Sequence, residues 1–127
     1  MIVKRVTSRA LVAFVLAVPF VLSVACGGGG GASVEQVAAG QKVFLGTCAT
    51  CHGKDANGLP NLGKNLHNNE FVQSKNDEEM VAFVIKGRPA SDPLNTRHVD
   101  MPPKGGNPAL NEQDISNVVA FLRTLQQ

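Results

Sequence analysis

The sequence contains no tryptophan and no tyrosine. Of its phenylalanines, only Phe44, Phe71, Phe83 and Phe121 lie beyond residue 25. So few aromatic side chains leave a small core short of bulk. An apolar group from outside the polypeptide is therefore expected to fill its centre. Strand signals are missing too. No run of four to eight residues alternates apolar and polar positions with β-branched enrichment, which argues against a sheet-based fold. A positive charge excess is confined to the start of the chain, where Lys4, Arg5 and Arg9 fall before the first acid, Glu35. From Cys26 onward, nine Lys/Arg stand against ten Asp/Glu, a net charge of −1. That balance excludes a strongly basic nucleic-acid binder, and no nucleic-acid partner is expected. What is present suits one folded domain. The chain has 127 residues, 43% hydrophobic and 17% charged, which excludes wholesale disorder.

Residues 1–25 read as an export signal. Lys4, Arg5 and Arg9 form a positive head, Ala10 to Leu22 an apolar stretch broken by Pro19, and Ser23-Val24-Ala25 a run of small residues. The apolar stretch is short for a membrane-spanning helix, which needs about 20 residues. Leu22-Ser23-Val24-Ala25-Cys26 resembles the lipobox of bacterial lipoproteins, with the Leu one step further back than usual. The resemblance implies that Cys26 is lipidated and becomes the mature N-terminus. Residues 26–33 would then be an anchor and a tether, since Gly27 to Gly31 hold no regular structure. A Gly-rich tether of seven residues reaches roughly 15 Å. The folded domain is expected over residues 34–127.

That domain reads as all-α. Helical periodicity marks Val34 to about Cys48, with Ser33 as N-cap, and Asp77 to about Lys86, with Asn76 as N-cap and Glu79 completing a capping box. A third helix runs from Glu112 towards the C-terminus behind Asn111, with Ile115, Val118, Val119, Leu122 and Leu125 as its apolar face. Residues 53–70 and 87–110 are rich in Gly and Pro. Irregular stretches this long are expected to wrap or bind something.

The chemistry lies in Cys48-Ala49-Thr50-Cys51-His52. C-x-x-C-H is the attachment pattern of c-type haem. Two thiols add across the two vinyl groups of the porphyrin edge, and the turn between them brings the next imidazole under the iron. Export agrees with this chemistry, since thioether attachment in bacteria follows export. A thioredoxin-type pair would need a βαβ setting that is missing. A zinc site would need more ligands, with His67 and His98 to be recruited. A plain disulfide is the third alternative.

With these residues in view, the sequence resembles the class I cytochromes c across residues 33–127. Gly40 and Phe44 match the family's first-helix pair, Val118 and Phe121 its last-helix partners, and Pro60-Asn61-Leu62 its proline segment. The resemblance implies a cytochrome c fold of three main helices and long loops around one covalent haem c. It also implies that the Pro60 carbonyl accepts a hydrogen bond from Nδ1–H of His52. Asp100-Met101-Pro102-Pro103 resembles the loop that supplies the distal ligand in small bacterial members. Met101 is thus the expected sixth ligand opposite His52, with His67 and His98 as rivals and Met80 as core. Thioether sulfur favours Fe(II), and a filled sixth position excludes oxygen and peroxide. Arg88 and Arg97 would either pair with haem propionates or be ordinary surface cations.

The function this implies is one-electron transfer on the outer side of a bacterial cytoplasmic membrane, without an enzymatic step of its own. The short tether implies a membrane-embedded redox partner: an oxidase, a quinol-oxidising complex or a photosynthetic reaction centre. A haem enzyme or gas sensor with an open sixth position is the alternative.

Overall fold

The computed structural model describes residues 31–127. The expected export segment, Cys26 and the first glycines of the tether lie outside the described residues. Among the described residues the fold is helical, and extended pairing is limited to one antiparallel bridge between Arg88 and Met101.

Helix α1 (Val34–Val43) starts where the sequence places it. The Ser33 hydroxyl accepts from the Gln36 N–H, and the Gln36 side chain accepts from the Ser33 N–H. These reciprocal bonds satisfy two amides that a helix start leaves orphaned. Helical backbone then continues beyond the expected end. A π-helical turn (Phe44–Cys48) leads into α2 (Ala49–His52), which stops at Gly53 with φ +78°. A π turn takes in an extra residue and shifts the phase of the side chains that follow. Phe44, on the near side, faces the core at 0% exposure, and Cys48 beyond it is only half-buried.

Both long irregular stretches carry short structure the periodicity missed, and the first ends in a short helix, α3 (Glu70–Gln73), capped by Asn69. Helix α4 (Asp77–Lys86) carries the anticipated Asn76–Glu79 capping box and ends at Gly87. A single-turn 3₁₀ segment (Pro103–Gly106) precedes α5 (Glu112–Arg123), which opens with an Asn111–Asp114 capping box. The last helix closes at Arg123, and Leu125 bonds back to the Leu122 carbonyl in a tight turn.

Helices α1 and α5 cross at Gly40, whose Cα rests on the Asn117 carbonyl so closely that a Cβ would overlap it. Phe44 and Phe121 pack across that crossing, with ring centroids 5.3 Å apart. These are the helix pairs the family resemblance implies. Ile115, Val118, Val119 and Leu122 of α5 meet Val81, Val84 and Met80 of α4 to complete the core. Arg123 ties the far end together. Its guanidinium donates to the Val72 carbonyl (2.6 Å), the Lys75 carbonyl (2.6 Å) and Asp77 Oδ1 (2.8 Å).

Candidate functional site

Between α1–α2, α4, α5 and the two long loops lies a cavity of about 590 Å³. That volume falls within the usual range for a small-molecule or cofactor site. Its walls are mainly apolar, with Phe44, Val84, Val118 and Leu122 among them. Cys48, Cys51 and His52 reach it from the end of the first helical run, and Met101 from the loop after α4. The four residues expected to carry the chemistry therefore share one wall system. His67 and His98, the rival ligands, do not line it. His67 is held elsewhere, its Nε2 2.7 Å from the Asp55 carbonyl. Met80 does line it, at 2% exposure, while also packing in the core.

Both cavity thiols are free. Burial, reinforced by the neighbouring Cys51, pushes the Cys48 thiol up to about 11. Cys48 therefore stays a neutral S–H at physiological pH, slow to oxidise. Burial also lowers the pKa of His52, against an opposing pull from its hydrogen bond to Lys64. His52 is thus neutral at pH 7. Its Nδ1 lies 2.9 Å from the Lys64 carbonyl. A carbonyl only accepts, so Nδ1 carries the proton and the Nε2 lone pair is available to a metal.

The resemblance implies the Pro60 carbonyl as this acceptor, and the structure corrects it to that of Lys64. Pro60 is exposed and does not line the cavity. It occupies the second position of a turn closed by Leu62 N–H to the Leu59 carbonyl (3.1 Å), with Asn61 at φ +57°. That turn spends four residues reversing direction, so the chain reaches the imidazole only at Lys64. Gly63 makes the approach possible. Its N–H donates to the Cys51 carbonyl (3.1 Å), and a Cβ there would strike the Cys51 backbone.

Both arginines contribute to the cavity wall. The Arg88 guanidinium stacks on Phe71 (4.7 Å) and Phe83 (4.8 Å) and lies 3.4 Å from Asp92. That contact has ion-pair distance without hydrogen-bond alignment, and Arg88 Nε remains buried with no hydrogen-bond partner. Arg97 lines the cavity and also an adjoining polar recess with Lys64, Asn65, Asn69 and Thr96. The wall thus offers two thiols, one neutral imidazole, thioether sulfur, apolar faces and cationic donors. A haem, flat and apolar with vinyl groups and carboxylates at its edge, matches every one of these.

Residues 37–126 match the family model described as Cytochrome c. The chain is 33% identical over 87 residues to cytochrome c-555 of Chlorobaculum thiosulfatiphilum, covering 68% of this chain and 93% of that relative. It is 32% identical over 94 residues to cytochrome c-555 of Chlorobaculum tepidum, covering 73% and 80%. With the cbb3-type cytochrome c oxidase subunit CcoP of Rhodobacter capsulatus it shares 30% over 91 residues, 71% of this chain but 29% of the subunit. No solved structure matches it significantly.

Proposed function

The chain belongs to the cytochrome c family, as a class I c-type cytochrome with covalent haem c, and from that premise we propose a His/Met-ligated single-electron carrier tethered at the outer face of a bacterial cytoplasmic membrane. The observation that carries this reading is the convergence of Cys48, Cys51, His52 and Met101 on one apolar cavity. Bound haem c would supply one-electron redox chemistry. Cys48 and Cys51 would hold the porphyrin edge through thioethers. His52 would bind the iron through Nε2, its ring plane set by the Lys64 carbonyl. Met101, from the loop after α4, would offer the iron its thioether sulfur, which favours Fe(II) and would keep small ligands away. The apolar walls exclude water, so little solvent has to rearrange when the charge changes.

Met101→Ala is the direct test. The oxidised wild-type holoprotein should show the far-red sulfur-to-iron charge-transfer band. Met101→Ala should lose it and bind cyanide or CO readily, whereas Met80→Leu should keep it. A high-spin, CO-binding wild type would favour an enzyme or sensor with an open sixth position instead.

The Gly-rich tether and the lipobox-like Cys26 support attachment to the bilayer, and hence a membrane-embedded redox partner. The likeness to an oxidase subunit supports a partner of that class. Native membranes washed in high salt should retain the protein, and detergent should release it. Release by salt alone would dispose of the anchor.

A further inference from the structure

We infer that Asn95 is the positioning residue that holds Met101 over the cavity, an inference that rests on the reading of Met101 as the sixth ligand. Residues 89–100 form a loop whose two ends meet. Arg88 and Met101 exchange both backbone hydrogen bonds, each 2.8 Å. One step inside that neck, the Ala90 N–H donates to Asp100 Oδ1 (2.6 Å). The Arg88 side of the neck is fixed to the fold, because α4 ends at Gly87 and the Arg88 guanidinium is stacked on Phe71 and Phe83. The Met101 side is braced from beyond by the 3₁₀ turn Pro103–Gly106, which packs on α4, and from within by the loop.

The loop has no apolar interior of its own. Its centre is the Asn95 carboxamide, the sole buried polar residue among those described, at 6% exposure. Nδ2 donates to the Pro89 carbonyl (3.0 Å) and the Val99 carbonyl (2.7 Å). Oδ1 accepts from the Arg97 N–H (3.2 Å) and the His98 N–H (3.1 Å). A primary amide has two donor hydrogens and two acceptor lone pairs, and all four are used. One side chain therefore links the strand that leaves Arg88 to the strand that returns to Met101. His98, held at φ +55°, turns the chain back at this point. Iron–thioether bonds are weak enough that backbone placement decides whether they survive competition from another ligand.

Asn95→Asp keeps the shape but replaces both donors with lone pairs facing two carbonyls. The test is the affinity of the ferric holoprotein for imidazole, which enters only by displacing Met101. Asn95→Asp should bind imidazole about tenfold more tightly than wild type, with haem content unchanged. Arg123→Ala is the control. It loses three contacts at the far end of α5, so it should melt earlier without altering imidazole affinity. Equal affinities in Asn95→Asp and wild type would overturn the inference, as would an equal gain in Arg123→Ala. Should Asn95→Asp fail to retain haem, Asn95→Ser carries the same measurement, and an unchanged affinity there is equally fatal. A wild type without the far-red band, binding imidazole as tightly as Met101→Ala does, would instead bring down the ligand reading and this inference with it.

Discussion

A Cys48→Ala, Cys51→Ala double variant is expected to be colourless and unfolded. The two thiols are the covalent hold on the group that fills the cavity, and the cavity is large for a chain of this length. Left unfilled, a cavity of about 590 Å³ would leave its apolar walls facing water, at a cost comparable with the stability of the whole domain. Domains of this size are stable by about 5–15 kcal/mol in all. The walls cannot easily close the gap, because the framework behind them is already packed. Ile115 and Val119, which lie behind the cavity lining, are each at most 1% exposed. Pyridine haemochrome absorbance and far-UV circular dichroism measure both halves of the expectation. A colourless variant with a cooperative, native-like melt would contradict it.

Gly40→Ala should destabilise the holoprotein by more than about 3 kcal/mol, beyond the usual range for overpacking. Its sign makes it informative. In a helix interior, Gly to Ala ordinarily stabilises by about 1 kcal/mol. At Gly40 the added methyl would overlap the Asn117 carbonyl, a backbone atom inside α5 that cannot swing away. The two helices would have to separate, opening the Phe44–Phe121 contact beside the crossing. Gly46 is the comparison, since a Cβ there meets nothing within 4 Å. Gly46→Ala should be neutral or mildly stabilising. Denaturant midpoints of the two holoproteins, measured side by side, decide the matter. Similar midpoints would mean that the crossing is not the tight point of the fold.

Much of this molecule is legible in its sequence because the decisive signals are local. The Asn76–Glu79 and Asn111–Asp114 pairs fix two helix starts within four residues each. Cys48, Cys51 and His52 fall within five residues, and a proline pair follows Met101. The missed features have no local signature. The acceptor for His52 is a main-chain carbonyl, which any residue supplies, so Pro60 attracted the assignment that belongs to Lys64. The single turn α3 is too short to show periodicity. The π turn differs from an α-helix by one residue's phase, which composition does not record. Asn95 stands among other polar loop residues and is distinguished only by being enclosed, a property of the closed loop rather than of asparagine. Arg88 reads from sequence as an ordinary surface cation as readily as a haem partner, because its stacking depends on Phe71, which only the fold brings to the end of α4.

The unbroken helical backbone from Val34 to His52 has a mechanical consequence. At about 1.5 Å per residue it is a jointed lever roughly 28 Å long, with a capped end at Ser33 and the His52 imidazole at the other. The capped start at Ser33 and the His52 wall of the cavity therefore turn as one body, and any reorientation of that start carries the mouth of the cavity with it.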